Sequence, residues 1–237
     1  MSIETIWHPV NNVIIERDIW ATVLVCHMAA GVVPVDVDIL ARLHQTRTTV
    51  DLESIERRER ITRHDLKARL EEAVAVAGIP EVLHLGMTSA DVVENAYLIR
   101  MAQTCDHFEL QWDQWLPFRG IKGPVGTQQD QLDLLGSHAA CTELDIAVAS
   151  YFGFSKIANS VPQVMYRSID LEWATNLIGH VRPQGMYRHL ANGYLTMIAE
   201  NTGTTWNEGD VSGSVVRRVA LPNLAHTLNQ YQQETAT

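Results

Sequence analysis

Cysteine is scarce in this chain. Cys26, Cys105 and Cys141 are odd in number and far apart, with no CxxC pair and no Cys/His spacing of the structural-zinc kind. A disulfide framework and a zinc module are thereby excluded, and free buried thiols in a reducing compartment are expected. Long apolar runs are lacking too. The most apolar stretch, Ile19 to Ala30, is too short to span a bilayer and contains Cys26 and His27. Met1 to Asn12 holds no cationic patch followed by an apolar run, so a soluble cytoplasmic protein without a membrane partner is expected. Basic side chains are in deficit: 18 Lys and Arg against 28 Asp and Glu give a formal charge of -10. Such a field repels nucleic acid, and any anion site must be a local basic pocket. Internal repeats, low-complexity tracts and the GxxxxGK[ST] order of a phosphate loop are absent, and the scattered His residues form no metal-ligand pattern such as HExxH.

What the 237 residues do contain is helical periodicity over a length sufficient for a proper core. Ile14, Trp20, Val23, Leu24 and Met28 share a broad face between Val13 and Ala30, before Gly31 and Pro34 interrupt it. Further helices are expected over about Val50 to Glu59, over about Thr62 to Ala77 with Gly78-Ile79-Pro80 as its stop, and from Thr88-Ser89 to about Trp115. Pro117 and the stretch Arg119 to Thr127 must form a turn or extended loop, because two prolines and three glycines do not fit a helix interior. A helix over Ser137 to Tyr151, an extended Phe154 to Pro162 and a helical Leu171 to Ala199 with an irregularity around Gly179 to Gly185 follow. A polar tail from Gln230 that frays completes the chain. The fold class is all-α, with an N-terminal helical region over 1-98 and a shortened central bundle over 99-237.

Four segments carry candidate chemistry. His64 and Asp65 open a helix that also holds Lys67 and Arg69, so an anion there would gain from unpaired N–H groups and from an imidazole. The plainer use of the same pair is helix capping and charge balance. Thr88 and Ser89 at a second helix start can cap it or donate to a carboxylate or phosphate, and capping is the commoner use. The glycines around Lys122 permit close backbone approach to a phosphate, against the default of a simple turn. In Trp206 to Arg218, two serines and two arginines follow a glycine turn, which suits an oxyanion as well as it suits exposed ion pairs.

Taken together, the strings ERITRHDLKARLEEAVAVAG, HLGMTSADVVENA, LPFRGIKGPVGTQQDQLDLLG and TTWNEGDVSGSVVRRVALPN resemble consecutive blocks of bacterial adenylosuccinate lyase, of the fumarase and aspartase superfamily. The resemblance runs, with interruptions, from about Ile6 to about Leu224. It implies a long helix bundle, a homotetramer with each site built from three subunits, and β-elimination of fumarate from succinylated purine nucleotides by side chains alone, with neither a metal nor an organic cofactor. It further implies that His64 and Asp65 lie near substrate and that Thr88 and Ser89 bind a succinyl carboxylate. Lys122, Thr127 and Gln128 would contribute substrate contacts from another subunit. Gln163 and Arg167 fall in a segment similar to the family's Gln-Val-Tyr-Pro-Arg-x-x-Asp, with Met165-Tyr166 in place of Tyr-Pro. Ser214 and Arg218 match residues that hold the nucleotide phosphate.

The departures bear on turnover. The superfamily's mobile Gly-Ser-Ser-x-Met-Pro-x-Lys-x-Asn block, whose serine is the expected base, has no counterpart between Asp170 and Tyr187, and no Ser occurs between Leu171 and Asn201. The helical excursion that brings the general-acid His in a Thr-x-x-Gln block is missing between about Cys105 and Leu116, where only His107 is near. The Arg-Tyr pair near the N-terminus is absent, and the chain ends soon after Pro222. The resemblance therefore implies a lyase-like protein of purine nucleotide synthesis whose isolated activity is impaired, or a non-catalytic binder of a succinylated nucleotide or nucleoside monophosphate. As partners it implies further copies of itself or a full-length lyase, and the remaining alternative is a structural remnant.

Overall fold

The computed structural model describes residues 1–123, 126–158, 167–202 and 212–236, the side chains of 167 and 212–215 apart. Among them every regular element is a helix: α1 (Ile3–Trp7), α2 (Pro9–Ala29), α3 (Val37–Thr46), α4 (Leu52–Thr62), α5 (Asp65–Ala77), α6 (Ser89–His107), α7 (Gln129–Leu135), α8 (His138–Tyr151), α9 (Arg167–Val181), α10 (Gly185–Thr202) and α11 (Ser212–Thr235). The one extended pairing among these residues is an isolated parallel bridge between Phe118 and Ile157. The all-α expectation holds. From 159 onward the expected extended stretch lies outside the described residues.

Two compact units interleave along the sequence. The first comprises His8–Ile99 and Pro117–Ser160; the second comprises Met1–Trp7, Arg100–Leu116 and Val161–Thr237. In the first, α2 starts with Pro9 at its first turn and His8 as cap, the imidazole accepting from the Val10 N–H at 3.2 Å. Val13, Ile15, Ile19, Trp20, Val23, Leu24 and Met28 are buried, while Ile14 is only half-buried. More than one face of α2 is covered, because Glu16, Arg17 and Asp18 go under as well. They do so in pairs: Arg17 to Glu72 at 2.5 Å, Asp18 to Arg47 at 2.5 and 2.6 Å, and Glu16 to Arg69 at 2.6 Å. Buried charge is tolerated only when paired and hydrogen-bonded. These pairs fasten α3 and α5 to α2.

Helix α4 is mostly charged and buries only Ile55, which packs with Val13 and Ala68 beneath Val50 and Leu52. Arg63 then takes the left-handed conformation (φ 55) and His64 returns to extended backbone, so α4 and α5 are joined by a tight turn. Short α3 and α7 were not evident from the sequence. The former is capped by Asp36, whose carboxylate accepts from Asp38 and Ile39 N–H. Helix α6 stops at His107, short of the expected Trp115, where Glu109 adopts a left-handed φ of 56.

In the second unit the core centres on Trp173, fully buried and edge-on to Trp7 at 6.3 Å. Both indole N–H groups find acceptors, Trp173 in the Met101 carbonyl and Trp7 in Thr104 Oγ1, each at 3.1 Å. The Arg100 guanidinium lies 4.9 Å over the Trp7 ring. Asp170 and Arg217 form a buried two-pronged pair that ties α9 to α11. The irregularity expected around Gly179 to Gly185 is a break of three residues, Arg182 to Gln184, with Arg182 left-handed (φ 52) and its N–H closing on the Ile178 carbonyl at 2.9 Å. The tail expected to fray is instead helical through Thr235, with Tyr187 donating to Glu234 at 2.5 Å and tilted against Tyr231. Among the described residues no helix is long and apolar enough to cross a membrane.

Candidate functional site

His64 caps α5: its Nδ1 accepts from the Lys67 N–H at 3.3 Å, which leaves the ring proton on Nε2. Thr62 Oγ1 bonds the His64 carbonyl at 3.1 Å, fixing the turn that presents the half-exposed ring. Asp65 receives Arg69 Nη2 at 3.3 Å and lies 3.7 Å from His64 Nδ1. The pair thus performs the capping and charge-balancing role that its sequence allows.

At the second helix start, Asp91 reaches back to accept the Thr88 N–H at 2.9 Å, which is one half of a capping box. That backbone donor is therefore already used. Thr88 and Ser89 are both half-buried.

The loop after α6 wraps two buried carboxylates. Asp91 Oδ1 accepts from Arg119 Nη1, from Lys122 N–H at 2.8 Å and from Gly123 N–H at 3.0 Å. Asp145, on α8, accepts from Lys122 Nζ, from Ile121 N–H at 2.7 Å and from Gln128 Nε2 at 2.7 Å. The donors that would cradle a phosphate are turned inward onto these carboxylates, and the Lys122 ammonium, itself buried, is held by Asp145. Gly120 is required here: at φ +78 a Cβ would sit 2.6 Å from Asp145 Oδ1. Thr127 is exposed.

Within the first unit, then, Thr88 and Lys122 are joined through Asp91, and Lys122 and Gln128 through Asp145. Gln163 lies outside the described residues, as do the side chains of Arg167 and Ser214. Arg218 is exposed on α11 of the second unit.

One residue not singled out from the sequence is His84. It takes a left-handed φ of 66, accepts the Trp20 Nε1–H at 3.0 Å through Nδ1, and stands edge-on to that indole. Burial pushes its pKa below the usual imidazole value; the Asp91 carboxylate opposes this, and a charge on His64 adds to it. At neutral pH His84 is a neutral ring with its proton on Nε2, a form able to donate a hydrogen bond or accept a proton. Its place at the head of His84-Leu-Gly-Met-Thr-Ser89 was the available signal. Asp145 gave none, being one acid among many on an amphipathic helix.

No family model matches the chain. It is similar to the adenylosuccinate lyase of Schizosaccharomyces pombe, 25% identical with 66% of this chain and 44% of that protein covered. The adenylosuccinate lyase of Saccharomyces cerevisiae is also 25% identical, with the same coverage of each chain. The matched region spans less than half the length of either relative. In fold the chain is similar to a fumarate lyase from Mesorhizobium sp. BNC1, with a TM-score of 0.69 at 12% identity over 97% of this chain and 73% of that one. The sequence likeness is thus to adenylosuccinate lyases, and the fold is that of a fumarate lyase.

Proposed function

We propose that this chain is an adenylosuccinate lyase-like protein that binds a succinylated purine nucleotide, or the nucleoside monophosphate and fumarate derived from it, and that its turnover is impaired when it acts alone. The observation that carries this reading is the joining of the stretch from His84 to Asp91 with the loop around Lys122: the Asp91 carboxylate accepts from Arg119 Nη1 and from the N–H groups of Lys122 and Gly123. These are the segments whose wording resembles the lyase blocks. Two helix starts with hydroxyls and imidazoles suit a small dicarboxylate. Elimination needs a base for the proton beside a carboxylate and an acid for the departing nitrogen. The α9–α10 connection, where the serine loop is expected, is only Arg182 to Gln184. That short turn favours the second reading, a non-catalytic nucleotide binder that assembles with copies of itself or with a full-length lyase.

The test is adenylosuccinate cleavage by the purified chain, alone and mixed with a full-length lyase disabled at the residue matching His64. Silence alone with activity in the mixture, abolished by His64→Ala in this chain, is the expected result. Full turnover by the chain alone overturns the claim of impairment. Binding is checked separately by thermal shift with adenylosuccinate, adenosine monophosphate and fumarate, where saturation at a hundred times Kd stabilises by about 2.7 kcal/mol. Absence of any shift with all three rules out the nucleotide reading altogether.

A further inference from the structure

The first unit contains a cavity of about 280 Å³ that shares no residue with the helix ends described above. Its walls are mostly apolar, with Ala21 and Val25 from α2, Leu40 and Leu43 from α3 and Ala73 from α5, and they also include Thr22 and His44. Its base is closed by Arg17, whose Nη1 donates to the carbonyls of Thr46, Arg47 and Thr49 at 2.7 to 3.1 Å and whose Nη2 is on Glu72. Both terminal nitrogens of that guanidinium are engaged and its charge is paired with Glu72, although its buried Nε makes no hydrogen bond. The rim differs. Arg47 binds Asp18 through Nε and Nη2, which leaves Nη1 uncommitted on a side chain that is 41% exposed. Tyr151 also lines the cavity.

We propose that this cavity binds a small apolar carboxylate, with an aromatic or branched-aliphatic body between α2 and α3 and its carboxylate on Arg47 Nη1 and the Tyr151 hydroxyl. An apolar chamber with one or two polar groups at its mouth is the ordinary form of a small-molecule site, although this one is at the small end of the range. Its volume, just under the lower end of that range, suits a small ligand. Arg is matched to carboxylate by geometry as well as charge. A cation could not accept from Arg47 Nη1, and a neutral hydrocarbon would leave that donor unused. The site does not depend on the lyase-like reading, since it uses none of the residues assigned to nucleotide.

The test uses the full chain and 3-phenylpropionate as probe, with 3-phenyl-1-propanol as its neutral counterpart, titrated while methyl NMR signals are followed. The expected result is saturable binding with Kd on the order of 1 mM or tighter, the range for a ligand of this size, with shifts at the methyls of Val25, Leu40 and Leu43. The carboxylate should bind at least tenfold more tightly than the alcohol. In the paired variant Asp18→Asn/Arg47→Met, which removes both charges together, that preference should vanish while alcohol binding persists. Ala21→Phe, which fills the chamber, should abolish both. Absence of saturable binding by the wild-type chain overturns the proposal, as do shifts confined to other methyls or a carboxylate preference that survives in the paired variant. The methyl map of the wild-type chain decides the matter even if Ala21→Phe does not fold.

Discussion

Replacing Asp91 by Asn should be among the most damaging single changes of similar size in the first unit. Both Asp91 and Arg119 are fully buried. Removing the carboxylate charge leaves a guanidinium that cannot shed its proton, and breaking a buried pair from one side costs about 3–5 kcal/mol. Asn keeps one acceptor oxygen, yet its amide NH₂ then faces the N–H groups of Thr88, Lys122 and Gly123, which now converge on two carboxylate oxygens. Each buried donor left unmet costs about 1–3 kcal/mol, overlapping with the first term. A loss of roughly 4 kcal/mol results, a large share of the 5–15 kcal/mol typical of a domain. Arg119→Met should cost less, about 2–3 kcal/mol, because the carboxylate keeps its three backbone donors. The two losses should also be non-additive, with a coupling of at least about 1 kcal/mol in the double variant. Urea unfolding followed by circular dichroism, at unchanged m-value, measures all of this. A loss under about 1 kcal/mol for Asp91→Asn, a larger loss for Arg119→Met, or simple additivity would refute the reasoning.

The remaining predictions concern the same unit and its thiols. Gly120→Ala should destabilise by more than about 2 kcal/mol, since the residue is left-handed and the new methyl meets the Asp145 carboxylate; a change within about 0.5 kcal/mol in the same assay contradicts that packing. His84 has a lowered pKa in the folded chain, so the unfolded chain takes up that proton first as pH falls. Its contribution is intact above the unfolded value of about 6.5 and is lost below it. His84→Gln should therefore flatten the fall in urea midpoint between about pH 7 and 5, and parallel profiles would count against it. Burial pushes Cys105 up to about 12 and raises Cys26 and Cys141 as well, but Cys26 alone is partly exposed. Alkylation at pH 8, read by peptide mass spectrometry, should mark Cys26 first and the other two only in denaturant.

Long helices were legible because their apolar spacing and their stops agree. Gly78 ends α5 in the left-handed conformation, Ser137 caps α8, and α9 and α10 part where glycine and proline cluster. Short α3 and α7 carry too few apolar residues to show a period. The polar segment after Gln230 looked like a tail because its helix is held by side-chain contacts of Tyr187 with Glu234 and Tyr231, partners more than forty residues distant. At the candidate site, the helix starts could be read locally. The inward turn of Lys122 could not, since it depends on Asp145 twenty-three residues further on. Nor could the burial of Glu16, Arg17 and Asp18, whose partners come from α3, its C-cap and α5.

The interleaving of the two units has a consequence for the order in which the chain matures. All of the first unit has emerged once Ser160 is made, so it can close while synthesis continues. The second unit cannot, because α1 packs on α11, and the Met1 carbonyl and Asn229 meet on the ring of His107. Ile3, Ile6 and Trp7, buried in the folded unit, must therefore wait without their partner until α11 has been made. Contacts of such long sequence separation form slowly. Helix α1 is made well before α11, on which it packs, and a holding factor that shields those three side chains would act in the interval when they are most exposed to aggregation.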